Sequence, residues 1–166
     1  MNLNRWTANA VAAAALLAAA CGGSSSPPAA ASSPSPSPAA SPSAAAAGTT
    51  IAAASNAKLG TILVDAKGIS LYVFVADTGT TSTCYTACAQ VWPPVLTTGA
   101  PVAGSGVQAS LLGTTTRTDG KVQVTYGGHP LYYFIQDKAA GDTTGQGVNG
   151  FGALWWAVSP AGTAVK

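Results

Sequence analysis

One short motif occurs twice in the chain and combines aromatic side chains with a carboxylate. Its two copies lie at an offset of sixty residues: Tyr72, Phe74 and Asp77; Tyr132, Phe134 and Asp137. Residues two apart on a strand share a face, so each Tyr–Phe pair forms a step of an aromatic ladder, and the Asp meets the loop that follows. The functional interpretation is an aromatic platform for a glycan, a peptide or a planar cofactor. We expect instead a core ladder with a loop-holding Asp, because a packing unit needs its residues in both repeats.

The cysteines form a second group with chemical potential. The chain has three, Cys21, Cys84 and Cys88, and residues four apart on a helical turn lie within reach of a disulfide. Such a bridge contributes on the order of 2 kcal/mol in the chain-entropy model. The alternative is a metal or redox site that combines both thiolates with His129, the only histidine. The Cys-x-x-x-Cys spacing differs from that of thioredoxin-like proteins. We therefore expect a structural disulfide and no cofactor.

The remaining candidates lack the residue patterns of known catalytic or binding sites. His129 lies in a turn between Gly128 and Pro130, and the chain has no G-x-S-x-G nucleophile elbow, so we expect no enzymatic activity. The G-x-G-x-x-G match at 145–150 lacks the strand–helix context of a dinucleotide site. A calcium site at Asp137 and Asp142 lacks the ligand pattern of an EF-hand. Three tryptophans are candidates for contact with a wall glycan: Trp92, Trp155 and Trp156.

The N-terminus is typical of an exported chain. Met1–Arg5 carries one positive charge, and Trp6–Ala20 is an uncharged apolar stretch too short to span a bilayer. Leu17–Gly23 resembles the bacterial lipobox, although Ala18 stands where that motif usually has leucine. The resemblance implies that Cys21 is lipidated and anchors the protein at the extracytoplasmic face of the cell membrane. The alternative is a soluble secreted protein cleaved after an Ala-x-Ala site.

Composition divides the chain into three parts. Residues 1–20 are the signal peptide, 21–50 are the lipidated cysteine with a tether rich in Ser, Pro and Ala, and 51–166 are the folded domain. A stretch of this composition cannot bury enough apolar area to fold, so we expect a disordered spacer. Without Arg5 the chain has six basic and five acidic residues. This near-neutral balance gives no electrostatic reason to expect a nucleic-acid partner.

The folded part is predicted to be all-β. Strands are expected at Leu59–Asp65, Ile69–Asp77, Thr114–Thr118, Lys121–Tyr126, Leu131–Ile135 and Ala153–Ser159, with a short helix at Thr83–Val91 near the cysteine pair. Turn residues separate several of these strands, and both faces of Ile69–Asp77 are apolar, so we expect this strand to be covered on both sides. We expect two repeated β-meander units, about 58–98 and 114–162, packed as one small sandwich or barrel-like domain.

These residues together resemble a known family. The resemblance rests on Leu131–Asp137, its copy at Leu71–Asp77, the Asp119-Gly120 turn before Gln123–Tyr126, and the segment from Cys84 to Pro94. In combination they are similar to bacterial lipoproteins with a Y-x-[FWY]-x-x-D motif, also called secreted repeats of unknown function. The resemblance implies a cell-surface lipoprotein and no established activity.

We therefore expect a lipid-anchored envelope protein that acts as a non-enzymatic binding or structural module. Its expected partners are the membrane, through the lipid, and an envelope protein or cell-wall glycan. The alternative function is that of a redox or metal-handling accessory protein, which would use Cys84, Cys88 and His129.

Overall fold

The structure is a computed structural model that describes residues 48–166. The expected signal peptide, Cys21 and nearly all of the expected tether lie outside the described residues. The strands are Thr50–Asn56 (β1), Gly60–Asp65 (β2), Tyr72–Phe74 (β3), Val102–Ala103 (β4), Leu112–Thr116 (β5), Val122–Tyr126 (β6), His129–Pro130 (β7), Asn149–Gly150 (β8) and Ala153–Ala157 (β9). The helices are Ala87–Val91 (α1) and a short three-ten turn at Ala109–Leu111. None of the helices described is long and apolar enough to cross a membrane.

The all-β prediction is confirmed, although the described strands form three small sheets and not two separate β-meander units. Three small sheets form within 48–166, in the orders β2-β1-β4, β3-β9-β8 and β5-β6-β7. Neighbouring strands are antiparallel except for β1 and β4, which are parallel. Strand β1 was not predicted, because its Ala-rich sequence has low β-propensity. It forms because six of its residues pair with β2 and Ile51 is fully buried.

The two repeats follow the same path and are related by an internal pseudo-two-fold symmetry. Each begins with an antiparallel hairpin, β1–β2 in the first repeat and β5–β6 in the second. Each then returns to its own hairpin through the residue before the motif tyrosine. Leu71 N donates to Leu63 O at 3.0 Å, and Leu131 N donates to Val124 O at 3.0 Å.

The segment that ends each repeat pairs with the other repeat. Strand β9 of the second repeat pairs with β3 of the first. In the other half, Tyr133 N donates to Pro93 O at 2.8 Å, so the end of the first repeat lies beside the motif of the second. The predicted strand at Leu131–Ile135 forms only isolated backbone bridges. The reason is that Pro93, which lies beside Tyr133, has no N–H to donate to a continuous ladder. The motif segment of each repeat is therefore paired with the end segment of the other repeat.

The core consists of two clusters on opposite faces of the motif strands. Tyr72 and Phe74 lie in one cluster, with both cysteines, while Leu71 and Val73 lie in the other. All four side chains are buried. The prediction that Ile69–Asp77 is covered on both faces is confirmed for Leu71–Phe74, whereas Val75 and Ala76 are exposed.

The exchange of end segments predicts that neither repeat folds alone. Fragments 48–106 and 107–166 should each lack a cooperative thermal transition, because each loses the strand that completes its half. An equimolar mixture should regain the transition, since the cut falls in the exposed turn at Ser105 and Gly106. Far-UV and near-UV circular dichroism of the separate and mixed fragments measures this. A cooperative transition in either isolated fragment would contradict the exchanged arrangement.

Candidate functional site

The two motifs are joined by reciprocal side-chain hydrogen bonds. Tyr72 Oη donates to Asp137 Oδ2 at 2.6 Å, and Tyr132 Oη donates to Asp77 Oδ2 at 2.6 Å. Each motif tyrosine therefore binds the motif aspartate of the other repeat. The pairing was not predicted, because nothing local in the sequence indicates which tyrosine meets which carboxylate.

The second oxygen of each carboxylate holds the loop of its own repeat. Asp77 Oδ1 accepts from Thr83 N at 2.8 Å and from Thr83 Oγ1 at 2.7 Å. Asp137 Oδ1 accepts in the same way from the backbone and side chain of Thr144. Each carboxylate thus binds the loop of its own repeat through Oδ1 and the tyrosine of the other repeat through Oδ2. Both aspartates are buried, and these bonds supply the donors that a buried carboxylate requires.

Backbone bonds place the two tyrosines at the centre of the molecule. Tyr72 N donates to Tyr132 O and Tyr132 N donates to Tyr72 O, both at 2.9 Å. Burial, followed by the hydrogen bond to Asp137, raises the pKa of Tyr72 well above its ordinary value. Burial and then Asp77 do the same to the pKa of Tyr132. Both phenols therefore remain protonated donors, and the arrangement is suited to holding the fold together.

A continuous stack of four rings passes beside these tyrosines. The ring centroids are 4.1 Å apart for Phe74 and Trp155, 4.0 Å for Trp155 and Trp92, and 4.2 Å for Trp92 and Phe134. The two indoles, one from each repeat, are parallel to within 3°. Offset or edge-on aromatic pairs contribute about 0.5–1.5 kcal/mol beyond their buried area. The aromatic residues of the motif therefore form a packed core across the two repeats.

The burial of this stack corrects one expectation from the sequence. Trp92 and Trp155 are 1% and 0% exposed, so their side chains are not available to a glycan or another ligand. Trp156 is half-buried and packs against the second core cluster, so it alone of the three retains exposed surface. The sequence alone did not reveal this, because the burial of a tryptophan depends on which distant segments pack against it.

His129 lies on the surface of the molecule. It is exposed at the start of β7, where it pairs with Tyr126. Within the described residues, no group of three His, Cys, Asp or Glu side chains is close enough to hold a metal ion. The residues expected for the metal-handling alternative are therefore not brought together in this part of the chain.

Cys84 and Cys88 form the predicted disulfide, with Cα atoms 5.2 Å apart. Both residues are buried, at 0% and 7% exposure. The helix is shorter than predicted and begins only at Ala87. The reason is that Thr83 is bound to Asp77, while Thr86 takes a φ of 47° and a ψ of −118°, outside the helical region. The bridge therefore closes a loop that leads into the helix.

A buried arginine that sequence reasoning missed joins this loop to the second hairpin. Arg117 Nη2 donates to Cys84 O at 2.7 Å, and Nη1 donates to Ser82 Oγ at 2.8 Å and Gln123 Oε1 at 2.6 Å. The guanidinium also lies 4.3 Å from the ring centroid of Tyr85, a cation–π distance. An arginine beside a Thr-rich strand is typical of a surface position, so no sequence signal marked it.

Phe151 is the second residue that the sequence did not single out. Its φ is 57°, in the left-handed region, and its side chain is 50% exposed. It forms a two-residue hairpin turn with Gly152, because Gly150 pairs with Ala153. Both turn residues have positive φ, the geometry that favours Asn-Gly, and a left-handed non-glycine residue costs about 1–2 kcal/mol. The aromatic side chain thus occupies an exposed position at an energetic cost.

The reciprocal bonds predict the effect of removing one phenol. Tyr72→Phe leaves Asp137 Oδ2 without its tyrosine donor, and we expect a loss of about 2 kcal/mol in the free energy of unfolding, the range for bonds to charged groups. Tyr133→Phe is the matched control, because that phenol makes only a 3.4 Å bond to Asp65. It should cost less than about 0.5 kcal/mol. Urea unfolding with constant m measures both, and equal losses would contradict the structural role.

The comparisons with known proteins agree with the duplicated fold. A family described as a secreted repeat of unknown function matches the chain twice, over residues 53–96 and 113–159. No curated protein and no solved structure matches the chain. The two matches cover more than half of the chain and coincide with the two pseudo-symmetric repeats. The chain therefore belongs to the family of secreted repeats of unknown function.

Proposed function

We propose that this protein is a lipid-anchored envelope protein whose repeat domain acts as a non-enzymatic binding or structural module outside the cytoplasmic membrane. Cys84 and Cys88 are joined to each other, so Cys21 is the remaining cysteine of the chain. A structural disulfide is typical of oxidising, extracytoplasmic compartments. Membership of a secreted family and the lipobox-like sequence support the same location.

The observation that carries the non-enzymatic role is the use of the motif side chains in folding. The acidic oxygens of Asp77 and Asp137 are bound by tyrosine and threonine donors of the protein itself. The tyrosines and aspartates of the repeated motif thus hold the two repeats together. This favours a scaffold that presents its surface to a partner.

An exposed apolar patch supports the binding role. Phe151, Leu154 and Val75 are 50%, 37% and 56% exposed, and Val75 N donates to Leu154 O at 3.0 Å, so the last two are neighbours. Phe151 lies at the tip of the hairpin that carries Leu154. A strained, exposed aromatic residue contributes little to folding, which favours contact with another molecule of the envelope.

Lipid anchoring predicts a change of location when the cysteine is replaced. Cys21→Ser should move the protein from the membrane fraction to the supernatant, with no change in the melting temperature of the domain. The N-terminal peptide of the natural protein should carry the added mass of a glyceryl group and acyl chains. The control is the double variant Cys84→Ser, Cys88→Ser, which should stay with the membrane. An unmodified N-terminal mass in the natural protein would refute the anchor.

The exposed turn predicts a trade-off between stability and binding. Phe151→Asn suits the left-handed turn position, so we expect it to raise the free energy of unfolding by about 1 kcal/mol. The same variant should reduce cross-linking to envelope components in intact cells. Val122→Asn is the control, since Val122 is 37% exposed on another sheet, and it should leave cross-linking unchanged. Unchanged cross-linking by Phe151→Asn would remove Phe151 from the binding surface.

A further inference from the structure

The outer edge of β1 is covered by the segment that connects the two repeats. Gly104 N donates to Ile51 O at 2.7 Å, and Ala53 N donates to Ser105 O at 2.9 Å. The connecting segment, which includes β4, runs parallel to β1. Its sequence from residue 100 to 105 is Ala-Pro-Val-Ala-Gly-Ser, with small side chains and no charge. An uncharged, extended peptide of small residues is therefore what this edge accepts.

Strand β5 is the pseudo-symmetric equivalent of β1. The pair Ala53–Leu63 in the first hairpin corresponds to the pair Thr114–Val124 in the second, since Leu63 and Val124 accept the equivalent backbone bonds. Leu111 O accepts from Gly127 N at 2.9 Å on the β6 side. Hydrogen-bonding groups alternate between the two edges of a strand. Thr114 N–H and Leu112 C=O therefore point to the outer edge, as Ala53 N–H and Ile51 C=O do in β1.

In the part of the chain that the structure describes, β5 is an edge strand. The sheet order is β5-β6-β7, and Thr114 is exposed whereas Ala53 is half-buried. A cleft of about 310 Å³ lies along this strand and is lined by Leu112–Thr114 together with Ala100, Pro101, Ala103 and Ala109. An open edge is a template for another extended segment.

We propose that the outer edge of β5 is a docking site for an extended, uncharged peptide segment of small residues from another envelope protein, which adds as a parallel strand. The occupant is inferred from the molecule itself, because the equivalent edge of β1 holds such a segment. Its class is Ala, Gly, Pro, Ser and Val, in a stretch of about six residues, the length over which 100–105 follows β1. This deepens the proposed binding role and rests on it.

One difference between the two edges affects which residues can lie beside them. A Cβ at Gly104 would lie 3.0 Å from the Ala52 side chain and 3.0 Å from Ile51 O, so the β1 edge favours glycine there. The residue equivalent to Ala52 is Gly113, which pairs with Thr125 next to the Thr114–Val124 pair. With no side chain at Gly113, the β5 edge lacks the Ala52 contact, while the carbonyl equivalent to Ile51 O, that of Leu112, remains.

The experiment uses the mature chain with Cys21→Ser and a blocked synthetic peptide of residues 99–106, Gly-Ala-Pro-Val-Ala-Gly-Ser-Gly. Saturating peptide should slow hydrogen exchange of the Thr114 amide, followed by NMR, at least tenfold. Thr114→Pro removes the outward N–H without removing a bond to β6, and it should weaken peptide binding at least tenfold. Thr114→Ala keeps the N–H and is the matched control, with binding as in the parent. If Thr114→Pro does not fold, the exchange measurement alone decides.

Several results would overturn the proposal. The first is a peptide that leaves Thr114 exchange unchanged, and the second is equal binding by the proline variant. A Thr114 amide already protected in the free chain at all concentrations would assign the edge to the chain's own N-terminal segment. Protection that appears only at high protein concentration would assign it to a second copy. None of these results affects the membrane location of the natural protein or the Phe151 cross-linking, so failure of the docking site and failure of the proposed function are distinguishable.

Discussion

The structure depends on satisfying two buried carboxylates across the boundary between the repeats. Asp77 and Asp137 are both buried, and an unpaired charge in such a place is costly. Each finds its donors in two places, the loop of its own repeat and the tyrosine of the other. Since neither repeat contains a complete set of donors, the two must fold against each other. The motif therefore requires two repeats, because each motif aspartate takes a hydrogen bond from the tyrosine of the other repeat.

The exchanged end segments and the ring stack follow from this same constraint. Once the two tyrosines face each other through paired backbone bonds, the strand after each loop lies beside the opposite motif. That placement brings Trp92 and Trp155 into stacking contact, with a phenylalanine at each end of the stack. The result is one cooperative unit in which polar and aromatic contacts both cross the repeat boundary. The motif residues are consequently withdrawn from the surface.

The two repeats also differ in several features. The first repeat alone has the disulfide, and the second alone has the buried Arg117 that fastens the disulfide loop. Only the second repeat carries an exposed aromatic residue at a strained turn. The edge of β1 is covered, while its equivalent on β5 is open within 48–166. The features shared by both repeats stabilise the fold, whereas the proposed binding surface and the proposed docking edge lie among the features that differ.

The amino-acid sequence was sufficient to predict the duplication, the all-β class and the disulfide. These depend on local information: repeated motifs, alternation in short strands, and two cysteines four residues apart. The tertiary structure alone decided that Tyr72 meets Asp137, that Trp92 and Trp155 are buried, and that the Ala-rich β1 is a strand. It also placed Arg117 inside the molecule. These outcomes depend on contacts between residues distant in sequence, because burial and donor satisfaction are set by what each segment packs against rather than by its own composition.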